Sequence, residues 1–109
     1  MPLITPPPAV NVGGKRIVVY IKEDLPGRLG EYDSEKRCIN IAESVLEDPT
    51  LFRDTLVHEI IHCVLDLAGL SFNSSSVLSA KVEEQVVTAM ETLASPAIAY
   101  AWNTTCICQ

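Results

Sequence analysis

The sequence predicts an α+β fold in which a small, mostly antiparallel sheet is followed by two helices. Short segments rich in β-branched residues lie within residues 16–42 of the 109-residue chain. Two longer segments with apolar residues at helical spacing follow them. A chain of this length forms one core, so we expect a single domain over residues 15–109. Residues 1–14 are rich in proline and glycine and are expected to be a flexible lead-in.

Three strands are predicted in the first half of the chain. Residues 16–22 are dense in valine, isoleucine and tyrosine, which favours a strand. Residues 29–33 are expected to form a short second strand. Residues 37–42 alternate between two faces, so that Ile39 and Ile41 point to the same side.

Two helices are predicted in the second half. Asp48 suits the N-cap of the first helix, Pro49 suits its first position, and Gly69 suits its C-terminal stop. The second helix is expected over about residues 79–95, with an interruption at Pro96. The apolar stripe of this second helix is expected to comprise Val82, Val86, Val87, Met90 and Leu93.

Composition and charge restrict the class of protein. The chain is 48% hydrophobic and 20% charged, which is typical of a folded globular domain. Its formal net charge of −6 argues against nucleic acid as a partner, because phosphate binding needs a basic surface. The N-terminus does not resemble a signal peptide, and no segment is long and apolar enough to cross a membrane. We therefore expect a cytoplasmic protein without a membrane partner, and its cysteines to be reduced thiols.

The chemistry is concentrated in an HExxH motif, formed by His58, Glu59 and His62 inside the first predicted helix. Residues four apart on a helix differ by about 40° in direction and about 6 Å in height, so the two imidazoles project side by side and can bind one ion. Glu59 lies beside them, where it can take a proton from a metal-activated water as the general base. The chain has two histidines, and both belong to this motif.

A zinc site of this kind needs a third protein ligand, and the second helix offers three glutamates for it. Glu83 falls inside the apolar stripe, where a carboxylate is costly unless it is paired or bound to metal, so we favour it. Glu84 is expected to be solvated on its own face of the helix, and it remains an alternative together with Glu91. Asp66 continues the histidine face but lies about 12 Å along the axis from His58, too far to share an ion.

The order of strands, an HExxH helix and a second helix carrying a glutamate resembles the small gluzincin-type zinc metallopeptidases, in particular the minimal zincin-like proteins of phages and bacteria. The resemblance covers roughly residues 29–95, and the HExxH core is its specific part. It implies that His58, His62 and Glu83 bind Zn²⁺, that Glu59 is the general base, and that the reaction is hydrolysis of a peptide bond.

The same resemblance implies how a substrate would bind. The strand over residues 37–42 would be an edge strand along which an extended peptide or protein segment pairs. Tyr32 and Tyr100 are candidates for stabilising the oxyanion.

The main alternative function is a zinc-stabilised binding module without catalysis. Such a module would close the metal site with a fourth protein ligand, for which Cys63 and Cys38 are the candidates. Cys63 is otherwise expected to be a small buried residue. Cys106 and Cys108 are expected to be free thiols of the tail rather than a metal or redox pair.

Overall fold

The first half of the chain forms a four-stranded sheet in this computed structural model, which describes the backbone of residues 5–108 and the side chains of residues 5–93 and 96. The strands are β1 (Ala9–Val12), β2 (Lys15–Lys22), β3 (Gly30–Asp33) and β4 (Cys38–Ala42), in the spatial order β1-β2-β4-β3. β1 and β2 pair antiparallel, as do β3 and β4, whereas β2 and β4 are parallel. The predicted α+β fold is confirmed, with a mixed sheet.

β4 lies inside the sheet, so the expectation that residues 37–42 form the edge strand was wrong. All five residues of β4 are buried, including Ile39 and Ile41. The chain passes from β2 to the far edge of the sheet, forms β3, and returns through a turn in which Asp33 accepts two backbone N–H groups. The alternating pattern could not reveal this, because alternation separates the two faces of a sheet but not its centre from its edge. β3 is the edge strand on this side.

β1 lies within residues 1–14, the segment that we expected to be a flexible lead-in. It joins β2 through Gly13 and Gly14, which both have positive φ, at 58° and 86°. Asn11 accepts the N–H of Gly14, and Val12 is buried in the core. The lead-in therefore contributes a strand to the sheet at Ala9–Val12.

The first helix, α1 (Pro49–Leu67), has the ends that were predicted. Its N-cap is Asp48, whose side chain accepts the N–H groups of Thr50 and Leu51. At its other end the N–H of Leu70 donates to Leu65 O across Gly69, whose φ is 76°. This is the hydrogen-bond pattern of a Schellman motif, which explains the glycine at this position.

α1 is packed on two sides. One side contacts the sheet through Phe52 and Cys63, in a cluster that includes Ile17 and Ile39. The other side contacts the second helix, α2 (Ala80–Cys108). This second contact is made by Val57, Ile61, Leu65 and Val87.

α2 differs from its prediction in two respects. It continues through Pro96, where we expected an interruption. Much of the predicted stripe also faces solvent, since Val82, Met90 and Leu93 are exposed while Val87 is buried. Glu83 is fully buried and contacts His62 of α1, as its place in the predicted stripe implied. No helix in the described part of the chain is both long and apolar enough to span a membrane.

Candidate metal centre

A cleft of about 680 Å³ opens on the side of α1 that neither the sheet nor the apolar contact with α2 covers. The edge strand β3 forms part of its lining, and α2 and the connection between the helices contribute to it as well. His58, Glu59 and His62 all line this cleft. The HExxH motif therefore lies at a surface that a ligand can reach.

The two histidines lie side by side, as their spacing predicted, with ring centroids 5.1 Å apart. Glu84 on α2 faces both of them. Its Oε1 atom lies 2.8 Å from Nε2 of His58, and its Oε2 atom lies 3.1 Å from Nε2 of His62. One ligand atom from each of these three residues lies within 4.8 Å of the others.

The donor set of His58, His62 and Glu84 fits a metal ion. Ligand atoms around a tetrahedral zinc ion are about 3.3 Å apart, since each bond is about 2 Å long. The distances from Glu84 to the two Nε2 atoms, 2.8 and 3.1 Å, are close to this value. Two imidazoles with one carboxylate are the ligands of many hydrolytic zinc sites. These residues could therefore hold a metal ion.

Glu83 lies on the opposite side of the His62 ring from Glu84. It is fully buried, and its Oε2 atom lies 2.6 Å from Nδ1 of His62. Its Oε1 atom accepts the N–H of Phe72, and the hydroxyl of Ser71 also hydrogen-bonds to it. Burial alone would raise the pKa of Glu83, but these hydrogen bonds lower it overall, so the carboxylate is held in its ionised form.

The favoured third ligand and its alternative therefore occupy different positions. Glu83 faces α1, as its place in the apolar stripe predicted, but it contacts the Nδ1 atom of His62. Glu84, expected to be solvated, does have a side chain that is 55% exposed, yet it reaches the Nε2 atoms of both histidines. Periodicity detects the buried residue and misses the half-exposed one that spans the histidines.

Glu91 contacts the other histidine in the way that Glu83 contacts His62. Its Oε1 atom lies 2.7 Å from Nδ1 of His58. Burial would lower the pKa of His58, but the hydrogen bond to Glu91 and the nearby carboxylates raise it overall. The sequence does indicate that Glu84 and Glu91 act together. They are seven residues apart and thus share one face of α2.

Glu59 is buried in the wall of the cleft. Burial raises the pKa of its carboxyl group, and the neighbouring histidines oppose that rise. The edge strand approaches closely here, since a Cβ atom on Gly30 would lie 2.8 Å from Cγ2 of Thr55 and 3.3 Å from Cγ of Glu59. The glycine thus lets β3 pack directly against the motif.

Tyr32, a candidate for stabilising the oxyanion, has its hydroxyl group hydrogen-bonded to Asp66. The hydroxyl donates to Asp66 Oδ2 at 2.6 Å, and burial together with this bond raises the pKa of Tyr32. Cys63, a buried free thiol, hydrogen-bonds to the same hydroxyl. The side chains of the other tyrosine candidate and of the tail cysteines, Tyr100, Cys106 and Cys108, lie outside the described residues.

The comparisons with known proteins give no independent assignment. No protein-family model matches the chain, and no significant match was found among curated proteins or among solved structures. The side chains of the cleft are therefore the basis of the function proposed below.

Proposed function

We propose that this protein is a zinc metallopeptidase in which His58, His62 and Glu84 bind Zn²⁺ and Glu59 is the general base. One observation carries the proposal. Two imidazoles and a carboxylate converge beside a buried glutamate, and all of them line an open cleft. This replaces Glu83 with Glu84 as the third ligand, because Glu84 lies on the Nε2 side of both rings.

Zinc suits the donor set, and three protein ligands suit a catalytic site. Catalytic zinc sites keep an open position beside three protein ligands, whereas structural sites are closed by a fourth. Among the described side chains, the metal-binding group comprises the two histidines and Glu84 alone. Cys63 and Cys38, the candidate fourth ligands, are buried free thiols outside that group.

The remaining residues would prepare the histidines for the metal. Glu83 and Glu91 each accept a hydrogen bond from an Nδ1–H group, which directs the lone pair of Nε2 towards the site. Both are therefore proposed as positioning residues. They hold the imidazoles in one tautomer and one orientation without binding the ion themselves.

Glu59 would move the protons of the reaction. When bound, zinc would act as a Lewis acid that polarises the carbonyl of the substrate. The ionised carboxylate of Glu59 takes a proton from the attacking water as the new C–O bond forms. It then delivers that proton to the nitrogen as the C–N bond breaks. The products are a carboxylic acid and an amine, which exchange the remaining proton to form a carboxylate and an ammonium group.

The substrate is proposed to be a peptide or protein segment bound along β3. This strand is the edge of the sheet, and Gly30, Glu31 and Tyr32 line the cleft. An extended segment can pair with the backbone of an edge strand, which places its peptide bonds beside the motif.

The proposal is tested by peptide cleavage with Glu59→Gln as the decisive variant. Zinc-loaded wild-type protein is incubated with a mixture of unrelated peptides, and the products are identified by mass spectrometry. Wild type should cleave a subset of the peptides, and Glu59→Gln should keep its zinc but lose roughly a thousandfold or more of the rate. Glu47 is an exposed residue of the 3₁₀ helix Glu43–Glu47, which precedes α1, and Glu47→Gln should behave as wild type. Equal cleavage by wild type and Glu59→Gln would contradict the proposal.

If both proteins bind zinc and neither cleaves any peptide, the non-catalytic zinc-stabilised binding module becomes the better explanation. That alternative needs no acid beside the ligands. The buried Glu59 in the wall of the cleft is the observation that favours catalysis over it.

A further inference from the structure

The connection between α1 and α2 places one large apolar residue on the wall of the cleft. Phe72 lines the cleft and is 45% exposed. Leu70 and Val77 belong to the same connection and are also exposed, but neither lines the cleft. An aromatic side chain left partly in water at the mouth of a site gains free energy when an apolar group covers it.

Hydrogen bonds fix the backbone that carries Phe72. Its N–H donates to Glu83 Oε1 at 3.0 Å, and Glu83 is fully buried. The preceding residue, Ser71, is also fully buried, and its carbonyl accepts the N–H groups of Ser74 and Ser75. The connection is thus held by buried polar contacts at the point where it reaches the cleft.

The carboxylate of Glu83 contacts both His62 and the connection between the helices. One oxygen of Glu83 contacts Nδ1 of His62, and the other holds the backbone of Phe72. The position of the cleft wall is therefore tied to the orientation of a proposed zinc ligand. The backbone of Phe72 is thus linked to the side chain of His62 through a single residue.

We propose that Phe72 is a specificity-determining residue, which receives an apolar side chain of the substrate next to the metal centre. This inference rests on the proposed zinc site, because the metal fixes the reacting part of the substrate relative to Phe72. Substrates with an apolar residue at this position bind more tightly than those with glycine there. Glu83 acts as a positioning residue for the wall as well as for His62.

The test compares two small hydroxamic acids that share a metal-binding group. Acetohydroxamic acid carries a methyl group, and 3-phenylpropionohydroxamic acid carries a phenyl group on a short chain. Their dissociation constants are measured by isothermal titration calorimetry on zinc-loaded wild type and on Phe72→Ala, Phe72→Leu and Val77→Ala. Val77, which is 64% exposed in the same connection, is the matched control.

Wild type and Val77→Ala should bind the phenyl compound at least about tenfold more tightly than the methyl compound. Phe72→Ala should lose most of that preference while keeping its zinc, and Phe72→Leu should retain part of it. A wild type without the preference, or a Phe72→Ala protein that keeps it, overturns the inference. If the preference depends on Phe72 but no peptide is cleaved, the specificity site stands and catalysis alone fails. If no zinc binds, both proposals fall.

Discussion

The Oε2 atom of Glu83 and the Nδ1 atom of His62 are 2.6 Å apart, and that carboxylate is fully buried. A buried carboxylate with a lowered pKa stays ionised and accepts a hydrogen bond from the Nδ1–H group, which leaves Nε2 as the nitrogen that can bind a metal. Glu84 lies beside that Nε2 atom. Two adjacent glutamates of α2 therefore act on opposite sides of one imidazole.

Replacing Glu83 by glutamine should weaken zinc binding without abolishing it. The amide can donate to Nδ1 and thereby stabilises the tautomer that carries its proton on Nε2, which cannot bind the ion. We expect the dissociation constant for zinc to rise by roughly 10- to 100-fold, as measured by competition with a chromophoric chelator. Glu47→Gln is the control. An unchanged constant in Glu83→Gln would contradict the positioning role of this residue.

Replacing Glu91 by glutamine should change the pH dependence of stability in the metal-free protein. Burial lowers the pKa of His58, but the hydrogen bond to Glu91 and the nearby carboxylates together raise it above its usual 6.5. This contribution to folding is fully present below about pH 6.5 and is lost as pH rises through the folded pKa. The difference in the free energy of unfolding between wild type and Glu91→Gln should therefore be larger at about pH 6 than at about pH 9.

That difference is measured by urea denaturation in the presence of a chelator. The comparison of two proteins cancels the titration of groups that the substitution does not touch. A difference that does not vary with pH would show that Glu91 does not stabilise the protonated form of His58.

Replacing Glu59 by glutamine should stabilise the protein while removing its activity. Burial raises the pKa of Glu59, so its ionised form is disfavoured by folding. This residue lowers stability progressively as pH rises above its unfolded pKa, and a neutral amide of similar shape avoids that cost. We expect a gain of roughly 0.5–2 kcal/mol near neutral pH in chelator-treated samples. A less stable Glu59→Gln protein would show that the ionised carboxylate is satisfied where it lies.

Replacing Gly30 by alanine should destabilise the protein through the contact with α1. The added Cβ would lie 2.8 Å from Cγ2 of Thr55, so β3 or the helix must shift. We expect a loss of about 1–3 kcal/mol, as measured by urea denaturation. Thr55→Ser removes that methyl group. Gly30→Ala should therefore cost less stability in a Thr55→Ser background than in wild type. Two additive effects would rule out the contact as the cause.

The sequence predicted the elements whose signals are local. Asp48, Pro49 and Gly69 define the ends of α1 through side-chain and backbone conformations that need no distant partner. The side-by-side histidines followed from helix geometry alone. The strand order did not, because the parallel pairing of β2 with β4 depends on a connection that leaves no periodic signal.

The arrangement of the glutamates of α2 could be predicted only in part from the sequence, for a similar reason. Periodicity placed Glu83 against α1, and this residue is fully buried. It could not decide which oxygen faces which nitrogen, since that depends on the rotation of α2 about its own axis. That rotation leaves Met90 and Leu93 exposed and brings Glu84 to the histidines, in contrast to the predicted stripe.

The most direct test of the metal centre is the zinc content of purified protein, measured by elemental analysis under zinc-replete conditions. We predict about one zinc ion per wild-type chain, and its loss in His62→Ala and in Glu84→Ala. The Glu83→Gln protein should still bind about one zinc ion per chain when zinc is saturating. A wild-type protein that binds no zinc would contradict the proposed site. A Glu84→Ala protein that keeps its zinc while Glu83→Ala loses it would assign the third ligand to Glu83 instead.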